Sequence, residues 1–174
     1  GLILDLRNNS GGLVSSGIAV ADSLLSEKPV VETKNRNGIK DAIISQKETS
    51  FDGPMVTLVN KGTASASEIL AGSLQDNGRS ILMGERTYGK GLIQSLKSLG
   101  EESGIAITVA SYLTPKGNNI QGQGMTPDKL LDLPEASEYG SAEDKWLRNA
   151  ELFLDSLLEK EEVLIQNSEL SNEE

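Results

Sequence analysis

The sequence predicts a layered α/β domain. Short apolar runs bounded by Gly, Pro and Asn recur along the chain, and segments with apolar residues at helical spacing lie between them. Glycine, 18 of 174 residues, marks the turns. Aromatic residues make up only 3%, so the core must be built from Leu, Ile, Val and Ala. The length is enough for one domain with a sizeable core.

Leu2–Leu6 reads as a buried strand and Arg7-Asn8-Asn9-Ser10-Gly11-Gly12 as the loop leaving it. Val14, Ile18, Ala21 and Leu25 recur at helical spacing and predict a helix over 13–26. Val30–Glu32 and Ile39–Ser45 read as strands, paired as a hairpin across Asn35–Gly38. Met55–Val59 is a further buried strand, followed by a turn at Asn60-Lys61-Gly62. Residues 64–76 form a helix stopped by Asn77-Gly78. Ser80–Met83, Leu92–Leu96 and Ile105–Tyr112 are strands, with glycine-rich loops at Gly84–Gly91 and Pro115–Thr126. Trp146, Ala150, Phe153, Leu154, Leu157 and Leu158 predict an amphipathic helix over 141–160, to pack onto the core or to serve in oligomer contacts. The last dozen residues, Asn167–Glu174 above all, are polar and acidic, and disorder is expected there.

Charge and missing residue types exclude several function classes. The net charge is −10, yet residues 135–174 hold 12 of the 26 acidic residues against three basic ones, so the excess belongs to the tail. Nothing builds the basic face that a phosphate backbone requires, which argues against nucleic acid as a partner. No apolar stretch is long enough to span a membrane. Without Cys or His, thiol nucleophiles, disulfides, thiolate metal sites and the commonest general base are excluded. A hydrolase here must use Lys, a carboxylate or Tyr as its base. The chain opens Gly1-Leu2-Ile3-Leu4-Asp5-Leu6 without Met, as if a strand were entered midway. The expectation is a piece of a longer protein, incomplete at the N-terminus of its core.

Two segments could carry chemistry. In Asn60-Lys61-Gly62-Thr63-Ala64-Ser65-Ala66-Ser67-Glu68-Ile69 a strand ends, a tight turn follows and a helix opens on small residues. Free N–H groups and the helix dipole favour an oxyanion beside Ser65. Ser65-Ala66-Ser67-Glu68 equally fits a capping box, the commoner role for such a serine. Gly84-Glu85-Arg86-Thr87-Tyr88-Gly89-Lys90-Gly91 resembles a phosphate-binding P-loop, but Gly91 stands where Ser or Thr should hold magnesium. The following Leu92–Leu96 also alternates as a strand, where a P-loop would open a helix. The flanking glycines could instead admit Lys90 to a packed site, where desolvation favours a neutral amine. On an extended segment Gln94 shares the face of Lys90 and could orient its amine. A backbone N–H from Gly11 could join the same centre.

Taken together, these segments resemble the carboxyl-terminal processing, or tail-specific, proteases. The matching motifs are Leu4–Gly12, Gly62–Ile69, Gly84–Gly91 with Gln94, and Leu113-Thr114-Pro115 followed by Gly122–Asp128, in the family's order across roughly residues 1–133. The resemblance implies a crotonase/ClpP-like layered core at 1–134, with an acidic C-terminal helix and tail at 135–174. It implies that a PDZ domain and the start of the core lie upstream of Gly1. It implies Ser65 as nucleophile, Lys90 as general base, Gln94 as the group orienting Lys90, and the backbone N–H groups of Gly11 and Ala66 as the oxyanion hole. It implies a protein or peptide substrate with a free C-terminus, no metal or cofactor, and a periplasmic or thylakoid-lumen setting. Ser10 departs from the pattern, standing where proline is common. A non-catalytic peptide-binding module on the same core is the alternative reading.

Overall fold

The computed structural model describes residues 1–38, 40–132 and 138–171. The expected boundary between core and tail, at residues 134 and 135, lies outside the described residues. The element order is β1 (Leu2–Asp5), α1 (Val14–Leu24), β2 (Pro29–Asn35), β3 (Lys40–Ile44), β4 (Met55–Val59), α2 (Ala66–Asp76), β5 (Ile81–Gly84), β6 (Leu92–Ser98), β7 (Gly104–Leu113), β8 (Lys129–Leu130) and α3 (Lys145–Ser171).

Two four-stranded sheets form. One, in the order β1-β4-β5-β8, is parallel throughout. The other, β3-β2-β7-β6, is antiparallel throughout. The β4 sequence Met-Val-Thr-Leu-Val is buried at all five positions, as a central parallel strand covered on both faces must be. Its residues alternate between two cores. Met55 and Val59 join Leu70, Leu74 and Leu82 beneath α1 and α2, while Val56 and Leu58 join Ala150 and Leu154 of α3 on the opposite face. Between them Thr57 stays satisfied because its hydroxyl meets that of Ser80 at 2.7 Å.

Helix α2 is the middle layer, buried from Ala66 through Leu74. It lies between the parallel sheet and the antiparallel one, where Ile69 packs with Val31 and Tyr112. The predicted stop is realised: Asn77 caps the helix, its side chain donates to the Ser73 carbonyl at 2.7 Å, and Gly78 follows at φ +66°.

The parallel order has a direct consequence for function. β1, β4 and β5 are neighbours running the same way, so the segments after their carboxyl ends meet at one edge of the sheet. Those segments are Arg7–Gly12, Asn60–Ser65 and Glu85–Gly91, the three that carry the sequence motifs. Ligand sites of open parallel sheets form at this edge.

Helix α3 packs onto the core rather than standing free. Trp146 and Ala150 are fully buried, and Lys129 of β8 lies over the Phe153 ring, 4.4 Å from its centre. The helix runs to Ser171, although 167–171 belongs to the stretch where disorder was expected, and residues 172–174 lie outside the described residues. The reason lies in the sequence: ten of the fourteen residues from 157 to 170 are Leu, Glu, Lys or Gln, all strong helix formers. Among the described residues no helix is long and apolar enough to cross a membrane.

A buried ion cluster fastens the start of α3 to β1. Arg7 donates to both oxygens of Asp144, at 2.9 and 2.7 Å, and to both oxygens of Asp5. The Arg7 and Asp144 side chains are wholly enclosed. Hydrogen bonds from Arg7 hold the Asp144 carboxyl well below its ordinary range against the opposing effect of burial, and the N–H groups of Gly140 and Leu147 add to this. Burial disfavours charge on Arg7, but the bonds to Asp144 and Asp5 outweigh it and raise the guanidinium above its usual value.

Two outcomes test this docking. Trp146→Ala is expected to lower stability by about 3–5 kcal/mol, read by urea denaturation of the intact protein. A carboxyl depressed in the folded state adds stability that is complete above its unfolded value, about pH 4, and fades as pH falls. Melting temperature should therefore drop on acidification below about pH 4, while Asp144→Ala should cost about 3–5 kcal/mol at neutral pH and flatten that acid dependence.

Candidate active site

The site is organised around Glu68, one turn into α2. The sequence reading treated it only as the partner in a capping box. Its side chain is fully buried and its carboxylate accepts four hydrogen bonds. Oε2 takes the N–H of Ser65 at 2.9 Å and the N–H of Lys90 at 2.8 Å. Oε1 takes the Thr87 hydroxyl at 2.6 Å and the N–H of Gly89 at 2.7 Å. One oxygen therefore joins the backbone of the expected nucleophile to the backbone of the expected base. A signal for this was present: Glu68 is the sole charged residue from Ala64 to Gln75, in a helix of apolar and small residues with no face left for water. A buried carboxylate needs donors, and the glycine-flanked loop supplies them.

Ser65 stands at the mouth of α2 with φ +58° and ψ −120°, a conformation costly for a residue with a Cβ. Three hydrogen bonds hold it there. Its N–H goes to Glu68, and its carbonyl accepts from the N–H groups of Glu68 and Ile69, at 2.9 and 3.1 Å. The capping box is present: Glu68 accepts the Ser65 N–H and the Ser65 side chain faces the Glu68 N–H, which is also given to the Ser65 carbonyl at 2.9 Å. The Glu68 half of the box holds the turn.

The Ala66 N–H, at the first position of α2, has no acceptor among the described residues. Gly11 lies directly against it. A Cβ on Gly11 would come within 2.8 Å of the Ala66 nitrogen and 2.6 Å of the Ala64 carbonyl, and φ is +89°, so only glycine fits. The two expected oxyanion-hole residues are thus brought together. The Gly11 N–H is itself engaged, donating to the Asn9 side-chain oxygen at 3.0 Å.

Lys90 and Gln94 line one cleft of about 460 Å³ together with Ala64, Tyr88 and Gln121. The loop bearing Lys90 is pinned from several sides: Tyr88 N–H to the Thr63 carbonyl at 3.0 Å, Met125 N–H to the Thr87 hydroxyl at 2.7 Å, and Gly91 N–H to Gln121 at 2.9 Å. These bonds explain the glycine-rich segment after Pro115, which wraps the loop. The lysine side chain was expected in a packed site. It is exposed, because the loop's inward-facing bonds are made by backbone N–H groups and the side chain extends into the open cleft. Across Gly11 and Ala66 a second cavity of about 340 Å³ opens, walled by Leu4, Leu6, Leu13 and Leu70.

The model of peptidase family S41 matches residues 1–131. The chain belongs to peptidase family S41. The carboxyl-terminal-processing protease of Synechocystis sp. is 53% identical over 134 residues, covering 77% of this chain and 31% of that protein. The chloroplastic C-terminal processing peptidase of Tetradesmus obliquus is 50% identical over 134 residues, covering 76% and 29%. A solved photosystem II D1 C-terminal processing protease is 47% identical with a TM-score of 0.69, covering 76% of this chain and 34% of that one. The chain spans about a third of the length of the curated relatives it matches. The S41 match takes in all three strand-end segments and ends before Tyr139 and Asp144.

The role of Glu68 is open to a direct test. Glu68→Gln turns an N–H₂ group toward backbone N–H donors and should lower stability by about 2–3 kcal/mol in urea denaturation of the intact protein.

Proposed function

We propose that this S41 chain carries the acyl-transfer centre of a serine peptidase that cleaves proteins near a free C-terminus. The observation that supports it best is the Ser65 turn. A serine is held at positive φ on the N-terminus of a buried helix, beside an unoccupied N–H, with the Lys90 loop tied to the same carboxylate. The layering, a parallel sheet between helices with α2 against a second sheet, supports reading residues 1–134 as a crotonase/ClpP-like core and 135–174 as an appended helix.

In this reading the substrate carbonyl oxygen takes the Ala66 N–H and displaces the Asn9 oxygen from the Gly11 N–H. Lys90, oriented by Gln94, serves as the base and accepts the Ser65 proton as Oγ bonds to the carbonyl carbon and the C=O electrons move to oxygen. Collapse breaks the C–N bond, and the proton passes from Lys90 to the leaving amine. Water then attacks the ester, with Lys90 relaying its proton, and frees the carboxylate and Ser65. The leucine-walled cavity beside Gly11 suits a small apolar side chain next to the scissile bond. The chloroplastic and cyanobacterial relatives support placement in the thylakoid lumen or periplasm.

In the intact protein, Ser65→Ala and Lys90→Ala should each lower cleavage of a peptide with a free C-terminus by at least about 10⁴-fold. A phosphonylating phosphonate ester should label Ser65, found by peptide mass mapping. Turnover by Ser65→Ala at the wild-type rate overturns the assignment.

A further inference from the structure

The segment before α3 reaches the edge of the sheet where the site is built. The Tyr139 hydroxyl oxygen accepts from Asn8 Nδ2 at 2.7 Å and from Asn60 Nδ2 at 3.3 Å. These asparagines also hold one another: Asn8 N–H donates to Asn60 Oδ1 at 2.9 Å, and Asn60 Nδ2 to Asn8 Oδ1 at 3.0 Å. Asn8 precedes Gly11 in the first strand-end loop, and Asn60 opens the turn that leads to Ser65. The Gly62 N–H is given to the same Asn60 Oδ1 at 3.0 Å, and a Cβ on Gly62 would strike the Asn8 side chain. One phenol oxygen thus sits on the seam between the two segments that bring Gly11 and Ala66 together.

Tyr139 is itself firmly placed. Its ring lies against the Arg7 guanidinium, 4.1 Å from the ring centre, and Arg7 is clamped by Asp5 and Asp144. Asn8 sits at φ +55°, which persists only where neighbours enforce it. The amide bonds to Asn60 and Tyr139 are those neighbours. The contact they control is close: Gly11 rests on the Ala66 nitrogen with no room for a methyl group. A small slip of this seam changes the gap between two N–H groups that must converge on one oxygen, and displacements of about 1 Å in such sites can cost about 10²-fold in rate.

We propose that Tyr139 is a positioning residue of the peptidase site, whose hydroxyl locks the Asn8–Asn60 pair and so sets the Gly11–Ala66 spacing. The inference rests on the peptidase reading of Ser65. It places a determinant of the reaction beyond residue 131, where the family match ends.

The test is Tyr139→Phe in the intact protein, which removes the hydroxyl and keeps the ring on Arg7. Sites are counted by titration with a phosphonylating phosphonate ester, and turnover is measured on a peptide with a free C-terminus. The expected result is a kcat per titrated site lower by about tenfold, KM unchanged within about twofold, and an unaltered melting temperature. Asn8→Ala should show the same kcat loss, and the double variant should lose no more than Asn8→Ala alone, since both act through one seam. Wild-type kcat per titrated site in Tyr139→Phe, additive losses in the double variant, or a loss of titratable sites in step with the melting temperature overturns the proposal. Ser65→Ala separates the two failures. If that variant is inactive and Tyr139→Phe is unimpaired, this inference falls alone; if Ser65→Ala keeps full activity, both fall.

Discussion

The site depends on one buried carboxylate. Four donors from two segments of the chain, the Ser65 turn and the Thr87–Lys90 loop, converge on Glu68. A charge enclosed this completely is tolerable only when its lone pairs are filled. Here filling them sets the conformation of the Ser65 turn and the course of the Lys90 loop together. Stability and geometry of the site are therefore one interaction: a change that relaxes the carboxylate moves both segments, whatever it does to the rest of the core.

The parallel sheet makes that convergence possible. Strands β1, β4 and β5 point the same way, so three loops distant in sequence start side by side, those after β1 and β5 each one strand spacing from the loop after β4. The loops are short, and side chains such as Asn60, which bonds Asn8, Thr63, which bonds the Leu6 carbonyl, and Thr87, which bonds Glu68, tie them together. The division of labour is plain. Apolar strands fix where the loops start, and a polar lattice above them fixes where they end.

Much of the fold was legible because it follows from periodicity. Met55–Val59 reads as a buried strand and is one, and Asn77-Gly78 ends α2 where its turn chemistry says it must. The two-residue β8 was missed, since it is defined by pairing with β5 and not by any pattern of its own. The four motifs located the neighbourhood of Ser65, Lys90, Gly11 and Ala66. The longer links between them were not legible, because Thr87, the Lys90 loop and Tyr139 make contacts whose sequence separation carries no period, and the capping-box pattern showed only the Ser65 half of the Glu68 bonding. The exposure of Lys90 was missed for a related reason: flanking glycines say that the backbone passes close to something, and it is the N–H groups, not the amine, that make the close approach.

The Asn9–Gly11 hydrogen bond has an energetic corollary. Under the proposed mechanism, the Asn9 amide oxygen already accepts the Gly11 N–H that a peptide oxygen would take, so at that donor the arrival of the latter swaps one neutral acceptor for another at nearly equal free energy. An oxygen that gathers negative charge is different, because the same N–H binds an anion roughly twice as strongly as a neutral carbonyl. The placeholder thus cancels the advantage of merely docking and leaves intact the advantage of reacting, which is the discrimination a catalyst needs.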